Sequence, residues 1–261
     1  RSRDLVWALG AEETGSARAA QSKAPKQYVF DRVVPPDGTQ VDVYDAAARD
    51  IVYSALEGFT GCVMCYGQTG AGKTHTLANE RPGKDAGVML RSFEEIFKTA
   101  AEDRAHTYEV EMAFVQIYLD TITDLLAPRN EVALREDRGG GVFVAGLEWR
   151  AVETVAAAKR VLQDGSKGRV SSTTAMNADS SRSHAVLMVN VTRRGGGQTL
   201  QGRLHLVDLA GSERIKKSGA QGQTLDEAIA INKSLTTLGR CIECLARGKK
   251  GERPPFRDSK L

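Results

Sequence analysis

Apolar and polar positions along the 261 residues separate into a few legible patterns. Short continuous apolar runs at 62–66 and 185–191, and a third beginning at Leu204 and ending in Asp208, predict buried strands. A different spacing follows. Leu225, Ala228, Ile231, Leu235, Leu238, Ile242 and Leu245 recur at three- and four-residue steps, which predicts a long helix. The repeat resembles a coiled-coil seam, but it spans under three heptads and has no clear flanking charge pattern, so a helix packed on a sheet is the better reading. Residues 1–27 are read as a polar N-terminal loop segment, with small and polar residues dominating AEETGSARAAQSKAPKQ at 11–27. No internal repeat and no long linker divides the rest, so 28–261 is read as one domain. The chain begins at Arg1 and stops at Leu261 inside what reads as an unfinished element, which suggests a fragment.

Composition adds little until its distribution is considered. Hydrophobic residues make up 41% of the chain, enough for a core, and 36 basic against 33 acidic residues leave a net charge of +3. That balance is too mild to imply nucleic acid. Positive charge is concentrated instead: residues 247–260 hold six basic and two acidic side chains, and Lys216–Lys217 form a second basic point. No stretch is long and apolar enough for a membrane span and no signal peptide is visible, which leads to the expectation of a soluble intracellular protein. The four cysteines fall as Cys62-x-x-Cys65 and Cys241-x-x-Cys244. A zinc site is disfavoured, because an i, i+3 pair on a strand points to opposite faces. Four buried, reduced thiols are expected instead.

The chemistry is carried by three stretches. After the first predicted strand comes Gly67-x-x-x-x-Gly72-Lys73-Thr74, the phosphate-binding pattern G-x-x-x-x-G-K-[ST]. Glycines let successive backbone N–H groups turn around a phosphate, and the following helix N-terminus adds its positive dipole end. A lysine at the position of Lys73 reaches the β- and γ-phosphates, and a hydroxyl at Thr74 binds Mg²⁺. The second stretch, LHLVDLAGSER from Leu204, places Asp208 at a strand end, where a carboxylate can hold the metal shell through water. Gly211 follows, and its backbone N–H is free of any side chain that would keep a γ-phosphate away. The third is NADSSRSH, from Asn177. Ser180, Ser181 and Ser183 supply hydroxyls, and Arg182 supplies a charge that Glu213 could pair with. A nucleotide-sensing switch needs such parts.

Together these stretches resemble the kinesin motor domain: YGQTGAGKTHT its phosphate loop, NADSSRSH its first switch and DLAGSE its second. The resemblance extends through YVFDRVV, the helix VYDAAARDIVYSALEGFTG, VQIYLDTITDLL, INKSLTTLG and PPFRDSKL. GSERIKKSG and LGRCIECLA look closest to plant-type kinesins with armadillo-repeat tails. The family likeness implies that Gly67, Gln68, Thr69, Gly70, Ala71, Gly72, Lys73 and Thr74 hold the phosphates, and that His75 stacks on adenine. Asn177 would contact the γ-phosphate side, and Ser181, with Ser180 beside it, would be a metal ligand and a relay to the attacking water. Arg182 and Glu213 would form a salt bridge closing over the nucleotide, and Arg169 would pair with Asp208. Arg1-Ser2-Arg3 does not reproduce the family's adenine-covering R-x-R-P, and the family's last helices, final central strand and neck would follow Leu261. The fragment alone is therefore expected to be unstable.

The fold implied is α/β, a kinesin-type P-loop fold with a mixed, largely parallel central sheet, helices on both faces, and parts missing at both ends. The function implied is an ATPase that uses ATP and Mg²⁺ to drive movement along microtubules in the cytoplasm and cytoskeleton. A microtubule-binding protein with an impaired ATPase is the alternative, disfavoured by the intact GKT, SSRSH and DLAGSE. A signalling GTPase is disfavoured by the lack of a base-reading N/T-K-x-D motif. Lys216, Lys217, Lys249, Lys250, Arg253, Arg257 and Lys260 flank the long helix and are the candidate tubulin contacts. Nucleic acid is disfavoured because the basic loop is read as lacking interleaved aromatics for base stacking. No membrane partner is expected, and oligomerisation would use segments absent here.

Overall fold

A computed structural model describes residues 4–8, 26–137, 141–176, 180–213, 223–249 and 251–261. In chain order these form β1 (Asp4–Ala8), β2 (Lys26–Phe30), α1 (Gln40–Ala47), α2 (Arg49–Leu56), β3 (Thr60–Cys65), α3 (Lys73–Ala78) and α4 (Val88–Glu102). There follow β4 (Thr107–Tyr118), β5 (Thr121–Asp124), β6 (Ala133–Glu136), β7 (Val142–Ala145), β8 (Arg150–Val152) and α5 (Val155–Met176). The last three are β9 (His184–Gly195), β10 (Gln198–Asp208) and α6 (Gln223–Arg247).

The central sheet runs β3-β10-β9-β4-β5, with β8 pairing beside β5 on β4. It is mixed, as expected, but not largely parallel. Among the described strands only β3 and β10 are parallel; β10–β9, β9–β4, β4–β5 and β4–β8 are antiparallel. The reason is local. Gly196 and Gly197, at φ 55° and 75°, join β9 to β10 by a two-residue turn that forces an antiparallel hairpin. Leu119 and Asp120, at φ 49° and 59°, do the same between β4 and β5.

Alternation along the strands puts the core on one face. Met112 and Phe114 of β4, Leu187 and Val189 of β9, and Leu204 and Leu206 of β10 are buried there. Helices α2, α3 and α5 cover this face, with α4 packed against all three. Two glycines permit the close approach. A Cβ on Gly202 would lie 1.7 Å from the Ala55 carbonyl of α2, and one on Gly165 of α5 would lie 2.0 Å from the Phe114 ring. On the opposite face α6 reaches the sheet through His184 at the start of β9.

Four further expectations change. The segment 1–27 was expected to be loop, yet Asp4–Ala8 and Lys26–Phe30 pair as antiparallel strands. The single helix expected over 43–61 is two, α1 and α2, interrupted at Ala48 (φ −123°), and β3 already begins at Thr60. The apolar stripe expected on α6 is only partly covered. The buried side chains are Ser234, Thr237, Cys241 and Cys244, whereas Ile242 and Leu245 are 48% and 61% exposed. The helix meets chiefly the short 3₁₀ turns Ser180–Arg182 and Phe256–Asp258, which are too narrow to cover a full apolar face. The side chains of Leu225 and Ala228 lie outside the described residues. All four cysteines are free thiols, but Cys62 is exposed and Cys65 only half-buried, so only Cys241 and Cys244 meet the expected burial. Among the described residues no cluster of His, Cys, Asp or Glu could hold a metal through three such ligands, and no helix is long and apolar enough to cross a membrane.

Candidate active site

The site forms at the carboxyl ends of the one parallel pair, β3 and β10, where an open α/β sheet offers a crevice. β3 leads into the glycine loop and α3 begins at Lys73. Gly70 and Gly72 adopt the left-handed conformation, at φ 79° and 89°, with open space where a Cβ would stand. That combination allows the backbone to bend around a phosphate and present its N–H groups. The Lys73 ammonium donates to the carbonyls of Gly67 (2.9 Å) and Gln68 (3.0 Å), which keeps it at the mouth of the loop.

β10 brings Asp208 alongside. Its Oδ2 accepts from Thr74 Oγ1 at 2.7 Å and from Arg169 Nη1 at 3.1 Å. Its Oδ1 is buried and has no hydrogen-bond partner among the described residues. A hydroxyl and a carboxylate side by side, with one carboxylate oxygen uncommitted, fit the hard oxygen donors that Mg²⁺ requires. Arg169 also donates to the Ser183 carbonyl at 2.9 Å, so α5 ties the carboxylate to the start of β9.

The two predicted switches meet here. Gly211 N–H donates to the Ser181 carbonyl (2.8 Å) and Ser212 N–H to the Gly67 carbonyl (3.1 Å). The Glu213 carboxylate lies on the phosphate loop, accepting from Thr69 N–H at 2.9 Å and Thr69 Oγ1 at 2.6 Å. Burial alone would raise this carboxyl, but the two Thr69 donors, with the Glu213 backbone N–H and the Lys73 charge, together hold Glu213 below the usual carboxylate range. Thr69 is thus a partner of both Glu213 oxygens in this arrangement. Gly211 must be glycine for this contact, because a Cβ there would sit 2.3 Å from Glu213 Oε2 and 2.4 Å from Thr69 Oγ1.

The other expected residues are distributed as follows. His75 lies on α3 beside α1, where Gln40 Nε2 donates to its carbonyl at 2.8 Å. A Thr39–Asp42 capping box fixes that end of α1 and so places Gln40. Ser180 takes part in the turn Ser180–Arg182, and its side chain lies outside the described residues, as do Asn177, Lys216, Lys217 and Lys250. Lys249, Arg253, Arg257 and Lys260 are exposed. Arg257 pairs with Glu136 of the β6–β7 hairpin at 2.9 Å, and Lys260 N–H is held by Asp120 at 2.6 Å. Phe256, 61% exposed, is an aromatic next to Arg257. Sequence reasoning missed Gln40, the Thr69–Glu213 contact and His184. Only His184 carried a signal, as a polar ring at the head of a buried strand.

A strand, glycine loop and helix with Lys73 and Thr74, beside an aspartate on the neighbouring parallel strand, define a P-loop nucleotide-binding protein. Residues 4–261 match a family model described as Kinesin motor domain, and the chain belongs to that family. It is 41% identical over 241 residues to Kinesin heavy chain isoform 5C of Rattus norvegicus, covering 90% of this chain and 25% of that protein. It is 42% identical over 239 residues to Kinesin-like protein 3 of Schizosaccharomyces pombe, covering 90% of this chain and 43% of that protein. The chain thus spans less than half the length of these relatives. A solved structure described as "Structure of a fast kinesin: Implications for ATPase mechanism and interactions with microtubules" superposes with a TM-score of 0.83 at 39% identity, covering 91% of this chain and 68% of the other.

Proposed function

We propose that the protein hydrolyses ATP and couples that reaction to binding and movement along microtubules. The observation that carries this reading is the joining of three stretches distant in sequence: Thr74 to Asp208, Ser181 to Gly211, and Thr69 to Glu213. Backbone N–H groups from Gln68 to Thr74 cradle the phosphates, and Lys73 reaches the β- and γ-phosphates. Thr74 and Ser181, with Asp208 through water, would hold Mg²⁺, which when bound offsets charge on the phosphate oxygens. Ser180, Ser181 and Asn177 orient the reacting water and γ-phosphate, and Gly211 N–H exchanges its Ser181 carbonyl for a phosphate oxygen. Arg182 and Glu213 close the site, and His75 borders the base. Lys216, Lys217, Lys249, Lys250, Arg253, Arg257 and Lys260 face acidic tubulin, an assignment supported by their sequence positions before and after α6.

The partner in this reading is the microtubule, not nucleic acid or membrane, and the protein works on the cytoplasmic cytoskeleton. Its oligomeric state is set by segments outside these residues, and its tail is of the plant armadillo-repeat type, as GSERIKKSG and LGRCIECLA suggest. Steady-state ATPase of the complete protein with and without microtubules tests the proposal. Strong stimulation supports a motor; microtubule binding without turnover would establish the ATPase-impaired alternative.

A further inference from the structure

We propose that His184 is a positioning residue that carries the position of the second switch to α6. The residue is 3% exposed, and its ring bonds two segments beyond its own strand β9. Nδ1 accepts the Ala210 N–H at 3.0 Å, which requires that nitrogen to be unprotonated. Nε2 therefore bears the proton and donates to Ser234 Oγ at 2.8 Å, and the Ser234 hydroxyl donates onward to the Ile231 carbonyl at 2.8 Å. Burial, reinforced by Arg169, keeps the imidazole neutral by pushing its pKa down to about 4.

The chain of bonds runs one way, from Ala210 through the ring to Ser234 and Ile231 of α6. Every polar atom in it is satisfied. Ala210 adjoins Gly211, whose N–H meets the Ser181 carbonyl, and follows Asp208 on the same short segment. The ring has no slack, since turning it would leave a buried donor or acceptor unpaired. A shift of the Ala210–Gly211 backbone therefore either drags Ser234 and α6 with it or breaks a buried bond. Neither residue touches the phosphate loop in this arrangement, so the effect reaches chemistry only through position. What α6 then does to a microtubule rests on the proposed function; the link itself does not.

The test uses the complete protein and amide hydrogen exchange of α6 with ADP and with a non-hydrolysable ATP analogue. Ser234→Ala removes the acceptor while keeping a good helix former, and Ser234→Thr restores the hydroxyl. His184→Asn retains an acceptor for Ala210 N–H but is too short to reach Ser234. In the unaltered protein, protection of 231–237 should differ between the two nucleotides. Ser234→Ala and His184→Asn should abolish that difference and Ser234→Thr should retain it, with nucleotide affinity unchanged in all. Microtubule stimulation should fall about fivefold in the first two, the low end of a typical coupling between sites. A nucleotide-dependent difference that persists in Ser234→Ala overturns the proposal, whether or not His184→Asn folds. If microtubules fail to stimulate even the unaltered protein, the motor reading fails while the exchange measurement still decides the role of His184.

Discussion

Both oxygens of the Glu213 carboxylate accept hydrogen bonds from Thr69, one from the backbone N–H and one from the side-chain hydroxyl. The second switch thus holds the phosphate loop by the same carboxylate that the expected Arg182–Glu213 latch would use. Each oxygen keeps a further acceptor site, so the two contacts compete only where closure on Arg182 draws the carboxylate away from the loop.

Thr69→Val keeps the shape of the side chain and removes one donor. A net hydrogen bond of about 1 kcal/mol is lost from the Thr69-bound arrangement. Closure on Arg182 should become easier by up to about fivefold, read as faster single-turnover hydrolysis at unchanged ATP affinity. Slower hydrolysis would show that Thr69 holds Glu213 in its working position.

Glu213→Ala and Arg182→Ala should each bind nucleotide normally and hydrolyse it poorly, because neither side chain belongs to the phosphate loop. The double swap Arg182→Glu with Glu213→Arg should recover part of the turnover if pairing is what matters. Near-normal ATPase in Glu213→Ala would end the latch model.

Alanine in place of Lys249, Lys250 and Arg253 should weaken microtubule affinity and flatten its dependence on salt, since screened attraction is removed. Basal ATPase should hardly move. Cosedimentation at low and high salt checks this, and unchanged affinity at low salt would leave the segment a solvated charge run.

Two glycines in helices should respond in opposite directions to alanine. Gly168 of α5 faces the Leu125 carbonyl, 2.3 Å from where a Cβ would stand, and backbone cannot yield cheaply. Overpacking costs about 1–3 kcal/mol against a helix-propensity gain of about 1 kcal/mol. Gly168→Ala should lower Tm and, by displacing the adjacent Arg169 from Asp208, weaken nucleotide binding. Gly239 of α6 has nothing within 4 Å of its Cβ position, so Gly239→Ala should raise Tm. Thermal melting of the two variants side by side is sufficient.

Acid should destabilise the fold through His184. Its pKa falls from 6.5 to about 4 on folding, so below pH 6.5 the unfolded chain takes up a proton that the folded chain refuses. Stability is lost progressively between those values, by about 2 kcal/mol at pH 5. His205, also lowered by burial, adds in the same direction. Melting from pH 7 to 5 should fall less steeply in His184→Gln than in the unaltered protein.

The phosphate loop, Asp208 and the strands that carry them were legible because their signals are local. A glycine pattern next to an apolar run needs no partner to be recognised, and the Arg169–Asp208 pair followed from the family resemblance. The β9–β10 hairpin was also written locally, in the Gly196–Gly197 pair that favours a two-residue antiparallel turn. The turn at Leu119–Asp120 carries no glycine and could not be read at all.

By itself, then, the sequence determined which residues can hold phosphate and metal, and that a long helix follows the second switch. Which partner Glu213 takes, which side of α6 is covered, and that His184 joins three elements were decided only by the tertiary structure. The physical reason is that hydrogen-bond partners are chosen by distance. Thr69 and Glu213 lie far apart in the chain, as do His184 and Ser234, and only strand register and helix packing bring them within reach of each other.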